Sequence, residues 1–509
     1  MKKWTAKYAQ KNVICDVLGL FIYKQLVNQA AVDTFLDDYI SHDKIDFDEL
    51  RGSFLAMIQD PEKGNLYFSD NSGMRRWYFN ITNNTFSNTL TAVIDNKTMN
   101  PQAVAQFLYF GCIYSNDTVI ANVKMSEPEC YYVLKGKELK TYSKSLKMFD
   151  EIFAPDDEFE HTMKLYCKAT MDWEKNYVTI TGGVDSRTVL SHVLFNKFTP
   201  LLDITGHPDD IDVIIAKKIA DHCNLNLAFV EEGTNEKDWL NEAIMAAKLG
   251  GGAVLGTWRL YKKARFLKSE GEVIECGGLN GEVYKNSFIN QDYPIYFGKK
   301  NWKKFLKYKV FTYRFPLGIC GEIIKKQMSD MDIYMEKWLQ QFEGPEKSKS
   351  YIKAGYKIVQ QRSAALSAMY SEFHDSYYPL LERRCVASVY NKNAYQLEMQ
   401  SWQRQQISKY CPLLKNIKTD RGLTADINKI HSEWLKSMLF LVKVFAKRLI
   451  PRGKSDSRID GCFEEGLNTE LFKKSFSRCQ ELGIIAEGIN PNLLTKTVAD
   501  RVFLLGSLL

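Results

Sequence analysis

Residues Asn176 to Leu190 read NYVTITGGVDSRTVL, where a short apolar run empties into Gly182-Gly183 and Asp185-Ser186-Arg187 then lead into apolar positions at helical spacing. Tyr177, Val178, Thr179 and Ile180 are β-branched or aromatic, as a buried strand prefers. The stretch therefore predicts strand, tight loop, helix. Gly182 and Gly183 allow a sharp turn and bring backbone N–H groups close to a ligand, and the helix start adds its positive dipole end and free donors at the same spot. Ser186 supplies a hydroxyl, Arg187 a charge, and Asp185 a carboxylate suited to a phosphate-bound Mg²⁺. A phosphate chain is the natural guest. The loop lacks the Lys-Ser/Thr of GxxxxGK[ST] and is not GxGxxG. Taken alone, its few residues also fit a plain strand-to-helix turn with the Asp as a local cap.

Further signals of the same kind follow along the chain. Leu201 to Thr205 is a second apolar run closed by Gly206-His207-Pro208, Asp209 to Cys223 carries helical periodicity, and Asn226 to Val230 is a third run. The β-α-β-α-β alternation predicts a parallel sheet with right-handed crossovers. Ligands of such sheets lie beyond the carboxyl ends of the strands, where Gly182, Thr205 and Gly206 fall. A fourth run, Glu272 to Glu275, ends in a glycine-dense segment, Cys276-Gly277-Gly278-Leu279-Asn280-Gly281-Glu282.

The Gly-Gly-x-Asp-Ser loop resembles the pyrophosphate loop of the N-type ATP pyrophosphatases, the superfamily of asparagine synthetase. TGGVDSR, CGGLNGE, Tyr378-Pro379-Leu380-Leu381-Glu382-Arg383 and Lys418 to Leu423 occur in that family's order over about 240 residues. The resemblance implies ATP and Mg²⁺ as cofactors. It places nucleotide contacts at Ile180, Thr181, Gly182, Gly183, Asp185, Ser186, Arg187, Thr205, Gly206, Gly277 and Gly278. It implies Asp185 as one metal ligand. The position matching the family's second acid is Gly281, so its neighbour Glu282 is the substitute expected to hold the metal. From the late basic segment, Lys418 or Arg421 is expected to neutralise charge on a reacting acyl-adenylate. The implied catalytic set is Asp185, Glu282, Lys418 and Arg421.

The first 155 residues fit the same resemblance. Asp48 to Ile58, followed by Gly64 to Gly73 with its Asp70-Asn71-Ser72-Gly73 turn, matches the glutaminase-type domain of class B asparagine synthetases. Such glutaminases use an N-terminal Cys, and this chain begins Met1-Lys2-Lys3-Trp4. Cys15 is expected to be a buried strand thiol. The expected fold is thus α/β: a degenerate, Ntn-type, β-rich glutaminase-like domain over 1–155, then a synthetase domain of the adenine-nucleotide α-hydrolase type over 156–509, with a parallel sheet and a helical C-terminal part. Domains without that Cys resemble those of the β-lactam synthetases and lasso-peptide cyclases.

Composition sets outer limits. The 509 residues, 45% hydrophobic and 25% charged, suffice for two or three globular cores. Net charge +7 is spread diffusely, so nucleic acid is not an expected partner. Eleven Cys lack any CxxC pair, and seven His lack HxxxH or HExxH spacing, which predicts reduced thiols in the cytoplasm and no zinc site. No signal peptide is expected. No run reaches the roughly 18 apolar residues of a spanning helix. The closest, Trp434 to Ile450, is broken by Lys436, Lys443, Lys447 and Arg448 and is expected to pack on the core with those cations snorkelling. The expected activity is adenylation of a small-molecule or peptide carboxylate followed by acyl transfer to an amine or ammonia, with glutamine disfavoured as nitrogen source. Intramolecular lactam formation is the alternative, a sulfur-transfer or non-catalytic member of the superfamily a further one, and a homodimer is compatible with any of them.

Overall fold

Alternating burial along Val13–Tyr23, a long β-branched and apolar strand, marks the spine of an antiparallel sheet. In the computed structural model, which describes residues 1–42, 45–231, 258–285, 315–344, 347–364, 370–392, 399–449 and 466–509 with isolated positions at 240, 244, 245, 249 and 397, that strand is β2. It pairs with β1 (Lys3–Tyr8), with the short β3 (Leu26–Val27) and with β4 (Leu50–Asp60). β5 (Gly64–Ser69), β9 (Cys130–Lys135) and β10 (Glu138–Ser143) extend the sheet in the order β1-β2-β4-β5-β9-β10. A small second sheet, β7-β6-β8, joins Phe86–Ser87, Tyr78–Asn80 and Val123–Met125.

Helix α1 (Asn28–His42) covers one face of the large sheet, and Val32, Phe35 and Leu36 pack there against Phe21, Phe54 and Phe68. Cys15 sits mid-strand in this core, fully buried, with its thiol pushed far up by desolvation. The Asp70 turn is built as its residues suggest. The buried Asp70 carboxylate accepts the N–H groups of Ser72, Met74 and Arg75 at 2.8 to 3.0 Å.

The second large sheet is parallel. β11 (Lys175–Thr179), β12 (Leu201–Gly206), β13 (Leu227–Glu231), β14 (Val273–Cys276) and β15 (Asp375–Ser376) stand in the order β13-β12-β11-β14-β15. Helices α4 (Val184–Phe195) and α5 (Ile211–Cys223) make the crossovers between the first three strands, and α6 (Trp258–Ser269) leads into β14. The fourth expected run lies one residue later than its apolar pattern suggests, at Val273–Cys276.

Packing runs across the expected boundary at 155/156. Leu20 and Ile22 of β2 share one core with Val178, Val189 and Leu190, bridged by α3 (Glu158–Ala169). The late helices do more than cap the parallel sheet. α14 (Glu470–Glu481) and α15 (Lys496–Leu508) build a separate core with α2 (Pro101–Phe110) from the first part of the chain, joining Phe472, Val502 and Phe503 to Val104, Phe107 and Leu108.

No helix among the described residues is long and apolar enough to cross a membrane. The segment starting near Trp434 lies in helix α13 (Ile430–Leu449). Trp434, Leu435, Leu439 and Val442 each stand more than half exposed, while among its described side chains Glu433 is the one turned inward, against Arg404 at 2.8 Å. The ten described cysteines are all free thiols; Cys462 lies outside the described residues.

Candidate functional site

Strand order reverses between β11 and β14: from β11 the chain winds outward through β12 and β13, then returns to place β14 on the opposite side. The two crossover sets leave a crevice beyond the carboxyl ends of these two strands, where ligands of open parallel sheets sit. The Gly182-Gly183 turn leaves β11 at that point, and Cys276-Gly277-Gly278 leaves β14 there.

The loop after β11 is held by its own side chains. Ser186 Oγ accepts the Thr181 N–H at 3.1 Å and lies 3.2 Å from the Thr181 hydroxyl, which closes the turn. Gly183 caps α4 without a side-chain hydrogen bond, so the first-turn N–H groups of the helix are not consumed by a capping residue. Arg187 is fully buried and spends its guanidinium on carbonyl oxygens of Ile417 (2.6 Å), Lys418 (3.0 Å) and Gly182 (3.1 Å). Burial lowers its pKa to about 10. Arg187 therefore ties the loop to the late basic segment, and Asp420 reinforces the tie by donating its N–H to the Gly182 carbonyl at 3.1 Å. From the α5 side, Asp212 accepts the Gly182 N–H at 2.8 Å.

The two glycine-dense segments interlock. A Cβ on Gly278 would lie 2.5 Å from the Ser186 nitrogen, and one on Gly281 would lie 2.0 Å from Asp185 Cγ. Only glycines allow the segment after β14 to rest on the first turn of α4. Asp185 fills the space above Gly281 and is gripped from two directions: Lys285 Nζ approaches Oδ2 at 2.5 Å, and Gln403 Nε2 donates to Oδ1 at 3.1 Å. Burial pulls the Lys285 ammonium toward neutrality, but the Asp185 and Glu282 charges outweigh it and leave its pKa raised.

In front of the loop opens a cavity of about 420 Å³, within the size range of ligand pockets. Thr181, Asp185, Ser186, Gly277, Gly278 and Glu282 line one side. The opposite wall is a buried ion cluster. Lys263 Nζ donates to Glu275 Oε1 (2.8 Å) and the Thr179 hydroxyl (2.7 Å), and it lies 2.7 Å from Asp203 Oδ2 as an ion pair. Glu275 Oε2 faces His374 Nε2 at 2.8 Å. Burial alone would raise Glu275, but the Lys263 charge and the His374 hydrogen bond hold it well below the usual carboxylate range. Asp203 is raised, because burial outweighs what Lys263 returns to it.

The structure thus brings together Thr181, Asp185, Ser186, Gly277, Gly278 and Glu282. Ile180 is a core residue whose N–H goes to the Asp203 carbonyl. Gly182 and Gly183 form the turn behind the cavity wall. Thr205 and Gly206 end β12, and neither lines the cavity. Lys418 lines a different and more open depression of about 780 Å³, between α5 and the Ile417 to Gly422 segment, and Arg421 lies over the Phe440 ring at 5.1 Å.

Sequence reasoning missed Lys285, Gln403 and the Lys263 cluster. Asp203 and Glu275 carried a signal: each is the one acid in a short apolar strand, and two acids on strands flanking the same neighbour need a buried cation between them. No protein-family model matches the chain, and no curated protein matches it.

Proposed function

We propose that this protein is an ATP-dependent, AMP-forming amide ligase that adenylates a substrate carboxylate at the crevice between β11 and β14 and passes the acyl group to an amine. The observation that carries this reading is the meeting, at the reversal of strand order, of an uncapped α4 N-terminus behind a Gly-Gly turn and a cavity of about 420 Å³ with Asp185 and Ser186 in its wall. Three features there suit a triphosphate: first-turn N–H donors, the Ser186 hydroxyl and the Lys285 ammonium. The sequence resemblance of the loop to the pyrophosphate loop of N-type ATP pyrophosphatases suggests the reaction class.

A carboxylate resists amines because its leaving group would be oxide. Attack of the carboxylate oxygen on the α-phosphorus of ATP forms a mixed anhydride with AMP and releases pyrophosphate. Amine attack on the acyl carbon then forms the amide and releases AMP and a proton. The protein's part is positioning and electrostatic support of the departing pyrophosphate by donors fixed in advance. The Lys263 cluster takes a different part. The ammonium is hydrogen-bonded to Glu275 and Thr179 and paired with Asp203, and Glu275 is held ionised, so the cluster is a poor proton carrier and a rigid floor that fixes the ends of β11, β12 and β14.

The residues present do not fit a metal held between two acids. Among the described residues no three His, Cys, Asp or Glu side chains form a metal-binding group, and Gly281 supplies no carboxylate beside Asp185.

Exchange of labelled pyrophosphate into ATP, driven by a panel of carboxylic acids, tests the proposal. The wild type should exchange with at least one acid, and Asp185→Ala should lower the rate at least a hundredfold. Absence of ATP binding by equilibrium dialysis would sink the ligase reading.

A further inference from the structure

Asp185 has no room for a second acid opposite it. The volume above Gly281 is filled by the Asp185 carboxylate itself, 2.0 Å from where any Cβ at 281 would stand. Both carboxylate oxygens are engaged, Oδ2 by the Lys285 ammonium at 2.5 Å and Oδ1 by the Gln403 amide at 3.1 Å, and the same amide nitrogen reaches the Gly281 carbonyl at 3.3 Å. Gln403 is fully buried, so its amide is locked in that place. A divalent cation bound to Asp185 would need an oxygen at about 2.0–2.1 Å for Mg²⁺, in the space the ammonium holds, and would meet its positive charge at contact distance. The nearest further acid, Glu282, is exposed on the cavity wall.

We infer that Lys285 is a built-in replacement for a protein-bound divalent cation: its ammonium, parked on Asp185, is the positive charge that this loop offers to nucleotide phosphates. The inference deepens the ligase reading and rests on it for the identity of the anion. Asp185, itself in the cavity wall, is then a positioning residue that holds the lysine beside it, and any Mg²⁺ that enters does so on ATP as part of the substrate. The glycine at 281 and the lysine at 285 belong to one arrangement, because a carboxylate at 281 and an ammonium from 285 compete for the same face of Asp185.

Two measurements on the full-length protein separate this inference from the function reading. The first uses no nucleotide. Mn²⁺ binding is followed by electron paramagnetic resonance, with wild type, Asp185→Asn and Lys285→Ala, each checked for native circular dichroism. The wild type should leave Mn²⁺ free up to millimolar concentrations, and Lys285→Ala, which frees Asp185 Oδ2, should bind it at least tenfold more tightly. Mn²⁺ bound by the wild type and lost in Asp185→Asn would overturn the replacement. Should Lys285→Ala fail to fold, Lys285→Met takes its place, and the wild-type and Asp185→Asn titrations still decide. The second measurement is equilibrium dialysis of ATP in excess EDTA. Wild type and Lys285→Arg should bind, and Lys285→Met should bind at least tenfold more weakly; equal binding by Lys285→Met, or strict dependence of wild-type binding on Mg²⁺, would overturn the inference. ATP that binds under no condition, with Mn²⁺ still excluded from the wild type, would leave the lysine in the cation's place and overturn the nucleotide reading instead.

Discussion

Two fully buried glutamates, Glu275 at the end of β14 and Glu382 just ahead of helix α11 (Arg383–Tyr390), are driven in opposite directions. Glu275 has a dedicated lysine at 2.8 Å, a histidine at 2.8 Å and a threonine hydroxyl at 2.7 Å, and it stays ionised. Glu382 has a Gly52 N–H at 3.4 Å and a Tyr377 hydroxyl at 3.3 Å. Its nearest guanidinium, Arg51, is committed to Glu158 at 2.9 Å. Burial wins there, and the Glu382 carboxyl is pushed up to about 7 despite Arg51. Depth of burial is the same at the two sites; what differs is whether a cation is reserved for the carboxylate. One site is a fixed charge beside the cavity, and the other is a neutralisable joint between β4 and the helices under the parallel sheet.

The largest effect should come from removing the reserved cation. Lys263→Met leaves the buried Glu275 and Asp203 facing each other across Thr179. Breaking a buried ion pair by deleting one partner costs about 3–5 kcal/mol. Urea unfolding at pH 7 should show a loss of that order, and a loss below about 1 kcal/mol would mean that water or backbone relaxation reaches the acids and that the cluster is not the rigid floor assigned to it.

The second test is the pH dependence of stability at Glu382. A folded-state pKa of about 7 lies above the ordinary 4.5, so between those values the folded chain holds a proton that the unfolded chain has released. Stability from this group is therefore greatest below pH 4.5 and falls as pH rises toward 7. The opposite sign applies to Glu275, whose lowered pKa gives stability above pH 4.5 that is lost on acidification. Glu382→Gln removes the alkaline-side penalty. Relative to wild type, the variant should gain on the order of 2–3 kcal/mol between pH 4 and pH 8. Unfolding curves at the two pH values with the same difference between variant and wild type would show that Arg51 serves Glu382 after all.

This contrast also explains which parts of the molecule could be read from the chain. The parallel strands were legible because Tyr177 to Ile180, Leu201 to Thr205 and Asn226 to Val230 repeat one apolar pattern between helical periods, and the Gly-Gly turn announced where β11 ends. The loop's front was legible for the same local reason. Pairings between distant residues were not. Lys285 meets Asp185 across 100 positions, and Arg187 meets Ile417 across 230, so their roles are set by the fold rather than by neighbours in sequence. Arg187 looked like a phosphate ligand because it sits one residue after Ser186, but on a helix that one step turns the side chain away from the loop's mouth. On α13, lysines spaced along an apolar run suggest snorkelling over a core; among its described side chains Trp434, Leu435, Leu439 and Val442 are exposed and the inward contact is made by Glu433.

The smallest effect separates a working partner of Glu275 from a bystander. Tyr378 stands on the cavity wall and its hydroxyl lies 3.4 Å from Glu275 Oε1, the longest of the polar contacts to that oxygen. Lys263 and Thr179 already satisfy the oxygen at 2.8 and 2.7 Å. A net hydrogen bond contributes roughly 0.5–1.5 kcal/mol, less when it is long. Tyr378→Phe should thus cost under about 1 kcal/mol and leave the acid limb of the stability curve where it was, because the lowered pKa of Glu275 comes from Lys263 and His374. A shift of that limb toward neutral pH in Tyr378→Phe would mean that the phenol helps hold Glu275 ionised. The cluster would then reach the cavity through Tyr378, and a ligand displacing this ring would change the charge of the floor beneath it.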